Sequence, residues 1–151
     1  MSSGPTLRFA FARADKHEEL AQIGVHVFGR GETILYADDD VDVLKVGRKM
    51  LESLGYRVLP ASGGPEALSI AQTHDGPIDL LLTDVVMPGL DGFTLSLRVR
   101  AILPGIRCLF VSGYVPEALA QTCNFPQDGI FLEKPFTFAK LAECVRAVLD
   151  P

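Results

Sequence analysis

The stretch Thr33-Ile34-Leu35-Tyr36-Ala37-Asp38-Asp39-Asp40 decides the fold, because an apolar run of strand character stops on three carboxylates. Two further stretches repeat the pattern. Leu80-Leu81-Leu82-Thr83 stops on Asp84, and Phe131-Leu132-Glu133 stops on Lys134-Pro135. In an open α/β sheet the carboxyl ends of parallel strands lie side by side and line the binding crevice. The three stretches therefore predict one pocket where carboxylates meet an ammonium. Such a pocket suits a divalent cation and a phosphoryl group.

The rest of the chain from Glu32 onward fits that sheet. Strands are predicted at Thr33–Ala37, Tyr56–Pro60, Ile78–Thr83, Ile106–Ser112 and Gly129–Leu132. Helical periodicity fills the intervals. Val41–Leu54 puts Val43, Gly47, Met50, Leu51 and Leu54 on one face, and Gly55 follows as a left-handed cap. A second helix follows Gly63-Gly64 with Pro65 at its first position and Ala67, Leu68 and Ala71 as its stripe. A third runs from Gly92 to Leu103, and a short fourth is predicted at Pro116–Thr122. The last has Thr137 as N-cap and Phe138, Leu141, Val145 and Val148 along one face. Five strands alternating with five helices predict parallel pairing through right-handed crossovers, with helices on both faces. The nearly continuous apolar runs Ile78–Leu82 and Ile106–Val111 fit strands covered on both sides.

Bulk properties narrow the function. The 151 residues suffice for one domain with a real core. The net charge of −5 argues against nucleic acid as a direct partner, since phosphate backbones demand a basic surface. No apolar run approaches the roughly 20 residues of a membrane span. Met1–Pro5 has neither a charged nor a long apolar segment, so no signal peptide is expected and the cytoplasm is the expected compartment. Cys108, Cys123 and Cys144 lack metal or disulfide spacing and read as reduced thiols, with Cys108 and Cys144 as core packing. His17, His26 and His74 show no ligand spacing either. Residues 1–31 read as an N-terminal extension or linker to the domain at 32–151. Within the extension Leu7–Phe11 alternates like a strand, Asp15–Ile23 has helical character, and Gly29-Arg30-Gly31 reads as a hinge.

The pocket's chemistry follows from its residue types. A carboxylate at a strand tip, Asp84, can attack phosphorus and become an acyl phosphate. That reaction needs charge neutralisation more than acid–base help. Asp38 and Asp39 with Asp84 make a hard oxygen site for Mg²⁺ or Mn²⁺. Lys134 offers a point charge to a phosphoryl oxygen, and Ser112, closing the fourth strand before Gly113, offers a hydroxyl.

Residues 32–151 resemble the receiver domain of two-component response regulators. The matching motifs are Ala37-Asp38-Asp39-Asp40, Thr83-Asp84 with Met87-Pro88-Gly89 and Asp91-Gly92, Val111-Ser112-Gly113, and Glu133-Lys134-Pro135-Phe136. The resemblance implies a flavodoxin-like (βα)5 fold, a doubly wound five-stranded parallel sheet in the order 2-1-3-4-5. It implies a phosphorelay role, with a phosphohistidine of a sensor histidine kinase or histidine phosphotransfer domain as donor. Asp84 becomes the phosphoacceptor and Asp39 a direct Mg²⁺ ligand, with Asp38 acting through water and the Val86 backbone carbonyl completing the set. Ser112 and Lys134 contact the phosphoryl group, Lys134–Pro135 is cis, and Ser112 with Phe131 forms the switch. The implied readout surface lies around the fourth helix and fifth strand, and the implied homodimer contact adds the fifth helix to these.

Two departures stand out. Phe131 occupies the position of the family's switch aromatic without a hydroxyl, and also reads as a plain core residue. Val86 and Tyr114, which flank the phosphoryl group, are poorly suited to orient water, so slow hydrolysis of the Asp84 phosphate is expected.

Two alternatives remain on the sequence. Asp38-x-Asp40 after a strand resembles haloacid-dehalogenase-type phosphatases, with Asp38 as nucleophile and Asp40 as acid–base residue, but the further acidic pair is missing: Glu143 and Asp150 lie in or beyond the last helix. A degenerate receiver acting only as a binding module is the other. The architecture reads either as a stand-alone regulator or as the C-terminal receiver of a hybrid histidine kinase, since Gly4–Arg13 faintly resembles the closing strand of a kinase ATP-binding domain and Gly31–Leu35 resembles a hybrid-kinase junction.

Overall fold

Strand β1 (Thr33–Ala37) is buried along its whole length, as is β3 (Leu80–Asp84). Both owe this to helices on the two faces of the sheet, which leave an inner strand no solvent side. The computed structural model describes residues 28–113 and 130–150. Strands β2 (Arg57–Ala61), β4 (Arg107–Ser112) and β5 (Ile130–Glu133) complete a five-stranded sheet in the order β2-β1-β3-β4-β5. All neighbouring pairs are parallel. Four described helices flank it: α1 (Val41–Ser53), α2 (Gly64–Thr73), α3 (Gly92–Ile102) and α4 (Phe138–Leu149). This is the flavodoxin-like doubly wound order expected of the sequence.

Side chains alternate across the sheet with period two and feed separate cores. Ile34, Tyr36, Leu80, Leu82, Leu109 and Val111 pack with α1 and α4. Leu35, Ala37, Leu81, Cys108 and Phe110 pack with α2 and α3. Cys144 packs half-buried against the first core. Helix starts are fixed by side-chain oxygens taking otherwise unpartnered amides. Asp40 accepts from the N–H groups of Asp42 and Val43 at 3.0 and 3.2 Å. Asp91 accepts from Thr94 at 2.9 Å and Thr137 from Lys140 at 3.0 Å.

Several expectations shift by a residue or two, each for a local reason. β2 starts at Arg57 because the Tyr56 N–H is already used by the Leu51 carbonyl, closing the end of α1. β3 starts at Leu80 because Asp79 turns its carboxylate onto the Thr33 N–H at 2.8 Å. β4 starts at Arg107 because Ile106 N–H bonds to Leu103, and β5 runs on to Glu133, which pairs with Ser112. The inner face of α1 is centred on Leu44, Gly47 and Leu51, while Val43 and Met50 are only half-buried. Gly29-Arg30-Gly31, read as a hinge, is bonded down: the Gly29 and Gly31 N–H groups donate to Leu54 and Gly55 at 2.6 and 3.2 Å. The strand at Leu7–Phe11, the helices at Asp15–Ile23 and Pro116–Thr122, and residues His17, His26, Tyr114 and Cys123 lie outside the described residues. Among the described residues no helix is long and apolar enough to cross a membrane.

Gly47 sets how closely α1 lies on β1. A Cβ there would stand 2.6 Å from Cε2 of the buried Tyr36 ring and 2.8 Å from its Cζ. Gly47→Val is expected to lower the unfolding free energy by about 2 kcal/mol, as overpacked cores do. In urea titrations the midpoint falls at unchanged slope, whereas Val46→Ala, at an exposed position of the same helix, stays within about 0.5 kcal/mol.

Candidate functional site

The sheet register brings the predicted residues to one edge. Ala37 pairs with Thr83, so Asp38 and Asp84 each follow a matched pair on β1 and β3. Asp84 pairs with Val111, which places Ser112 one residue further along β4. Ser112 pairs with Glu133, and its carbonyl accepts the Lys134 N–H at 3.0 Å. Asp38, Asp84, Ser112 and Lys134, far apart in sequence, thus stand at four neighbouring strand ends.

Asp38 is the most enclosed of them, at 1% exposure. One carboxylate oxygen accepts the Asp40 N–H at 2.9 Å, and the other accepts Lys134 Nζ at 3.1 Å. The same ammonium donates to Asp84 Oδ2 at 3.1 Å. Burial raises the Asp38 pKa despite the Asp40 amide and Lys134, and the nearby Asp84 charge adds to the rise. Burial pulls Lys134 the other way, yet its bonds to Asp84 and Asp38 outweigh that and leave its pKa above the ordinary lysine value. Burial also raises the Tyr36 phenol, helped by Asp38, Asp84 and Asp40. The pocket is short of positive charge.

That shortage is what a cation site needs. Asp38, Asp39 and Asp84 each present a carboxylate oxygen, and the three atoms lie within 4.8 Å of one another. Hard oxygen donors from separate elements with an exposed member fit Mg²⁺, which binds through a few carboxylates and keeps several waters. Asp40 does not join them, since its carboxylate caps α1. Val86, two residues past Asp84, is 47% exposed at the rim. The Lys134–Pro135 bond is cis. Phe131 pairs with Phe110 in register, their ring centroids 5.6 Å apart, and stands edge-on to Phe93 at 6.1 Å.

Two supporting residues escaped the sequence reading. The Thr83 hydroxyl, fully buried, donates to the Asp84 carbonyl at 2.9 Å. Gly92 lets α3 begin against the backbone of Asp84: a Cβ would collide with the Asp84 carbonyl oxygen and stand 3.0 Å from Val85 Cα. Its N–H closes the intervening turn on the Val85 carbonyl at 2.8 Å. The signal for Gly92 was present in Asp91-Gly92, which reads as a helix start and conceals the close approach. Thr83 was visible in the Thr83-Asp84 motif, which does not disclose its bond to the Asp84 carbonyl.

Known proteins share this arrangement. The family model for the response regulator receiver domain matches residues 34–146. Sensor kinase CckA of Brucella abortus is 41% identical over 120 residues, which cover 78% of this chain and 12% of that protein. The response regulator receiver protein CpdR of the same organism is 36% identical over 116 residues, covering 77% of this chain and 95% of that one. The crystal structure of the receiver domain from the hybrid histidine kinase CckA superposes with a TM-score of 0.66 at 38% identity, over 78% of this chain and 99% of that one. The chain spans only a small part of the sensor kinase and nearly all of CpdR. With the motifs, the strand order and the acidic pocket in agreement, the chain belongs to the response regulator receiver domain family.

Proposed function

We propose that Asp84 accepts a phosphoryl group from the phosphohistidine of a sensor histidine kinase or a histidine phosphotransfer domain. The observation that carries this is the Lys134 ammonium at 3.1 Å from both Asp38 and Asp84, beside three clustered carboxylates. An Asp84 oxygen forms the new bond to phosphorus as the P–N bond breaks. The departing imidazole keeps the bonding pair and takes up a proton. Asp38, Asp39, Asp84 and the Val86 carbonyl would hold Mg²⁺, Asp38 through water. The bound ion supplies charge neutralisation to the electron-rich phosphoryl group. Lys134 releases Asp84 and bonds a phosphoryl oxygen, and Ser112 donates its hydroxyl to another. Ser112 moving inward opens space for Phe131, and the partner-binding surface changes with it. The apolar Val86 side chain at the rim and the bulky ring of Tyr114 are poorly suited to orient an attacking water, so the acyl phosphate is long-lived.

Treatment with acetyl phosphate and Mg²⁺ is expected to add one phosphoryl group by intact mass, with the adduct on Asp84 and lost in Asp84→Ala. Rapid turnover through Asp38 without an Asp84 adduct would favour a phosphatase instead.

Stability should report the pocket's charge. The folded-state pKa of Asp38 lies above its ordinary 3.8, so its ionisation opposes folding and its contribution worsens as pH rises through that value. In metal-free neutral buffer Asp38→Asn should therefore raise Tm in thermal melts. Mg²⁺ should raise the wild-type Tm by linkage and that of the variant less.

Combining Val86→Asn with Tyr114→Glu should speed phosphate release by about tenfold, or about 1.4 kcal/mol of barrier. An unchanged time course would remove these two side chains as the cause of slow hydrolysis.

A further inference from the structure

A second charge cluster stands at the opposite end of the sheet, where Phe28–Glu32 meets the end of α4. Arg146, on α4, has a side chain only 8% exposed. A guanidinium carries five N–H donors in a rigid fork, and each has a partner here. Nε and Nη2 donate to the two Asp150 oxygens at 2.8 Å each. Nη2 also reaches Glu32 Oε2 at 2.9 Å. Nη1 donates to the Tyr56 hydroxyl at 3.2 Å and to the Phe28 carbonyl at 3.3 Å.

Phe28 and Glu32 bracket the incoming chain, and the residues between them are seated as well. The Arg30 N–H donates to Glu32 Oε1 at 2.6 Å, and Arg30 Nη1 lies 3.6 Å from Asp150. Gly29 lies flat on the Tyr56 ring, where a Cβ would stand 2.7 Å from two ring carbons. Its carbonyl lies close to Gly55, whose backbone adopts φ +99°. Burial pushes the Glu32 carboxyl up, but bonds from Arg146 and Arg30 outweigh this and hold it below its ordinary value. Asp150 is held low by Arg146.

We infer that Arg146 is a clasp that welds the incoming segment Phe28–Glu32 to the last helix, making it a fixed strap rather than a hinge. The direction in which residue 28 leaves the domain is then set by α4, at the pole about 16 Å of strand away from Asp84. Any displacement of α4 is carried into that segment. Lysine cannot replace the fork, because a single ammonium has three donors at one point.

Backbone ¹⁵N relaxation on the full chain tests this. Order parameters at Phe28 and Arg30, whose backbone groups meet Arg146 directly or through Glu32, should match those of β1, about 0.85, and values below about 0.6, the flexible range, would overturn the clasp. In Arg146→Lys the same two residues should fall below about 0.6 while β1 stays rigid. If they remain as ordered as β1, Arg146 does not hold them and the inference fails. Should that variant not fold, Glu32→Gln, which keeps shape and removes one charged arm, is read in the same way. The initial rate of Asp84 labelling by acetyl phosphate is expected to be unchanged in these variants, and absence of labelling in the wild type would count against the phosphoacceptor reading alone.

Discussion

Asp38 is a carboxylate almost without access to water, and Lys134, three strands away in the sheet, is the cation that reaches it. The two residues are 96 positions apart in sequence. Only the strand order brings them together, because β3 lies beside β1 and the chain then steps outward through β4 to β5. A buried charge that loses its partner is strongly destabilising, on the order of 3–5 kcal/mol. The sheet must therefore deliver Lys134 to the right place for the first strand to end as it does. Position and charge balance are one constraint.

Close helix approach keeps the acids aligned. α1 can lie on β1 because Gly47 leaves room for the Tyr36 ring, and the same helix is started by Asp40, two residues past Asp38. α3 can start against Asp84 because Gly92 has no side chain to collide with that residue's carbonyl. Thr83 then satisfies the same carbonyl from within the core. The Asp84 backbone is thus held by a neighbouring polar and a neighbouring small residue, and the Asp38 side chain accepts the N–H of the residue that starts α1. Preorganisation of this kind supports the proposed phosphoryl transfer, since positioning and electrostatics do most of the work in such reactions.

The site residues were legible because each terminates an apolar run, and a run that stops on a charge is a local signal. Asp38, Asp84 and Lys134 are read that way, and the strand order follows from the resemblance their motifs carry. Element edges were less legible. Whether Tyr56 belongs to β2 depends on its N–H being taken by Leu51, and whether Ile78 belongs to β3 depends on Asp79 turning to Thr33. The α1 face was read through Val43 and Met50, yet Leu44 is the residue that reaches the core. The Arg146 cluster left no trace at all. Its partners Phe28 and Tyr56 stand 118 and 90 positions away. An arginine on an amphipathic helix looks like any solvated charge until Phe28–Glu32 and the end of α4 are seen side by side.

The two poles use similar groups to opposite ends. At Arg146 a planar fork meets two carboxylates, a phenol and a carbonyl, and the acids are held below their ordinary pKa. At Lys134 one ammonium is shared by two carboxylates beside a third, and the enclosed Asp38 is pushed up. A guanidinium in the pocket would occupy both oxygens of an acid with directed bonds. A lysine takes one oxygen from each and can swing on its flexible stem to a new acceptor. The satisfied pole holds the chain in place. The Lys134 pole gathers three carboxylates around one ammonium on a flexible stem, the feature on which the proposed cation and phosphoryl binding rest.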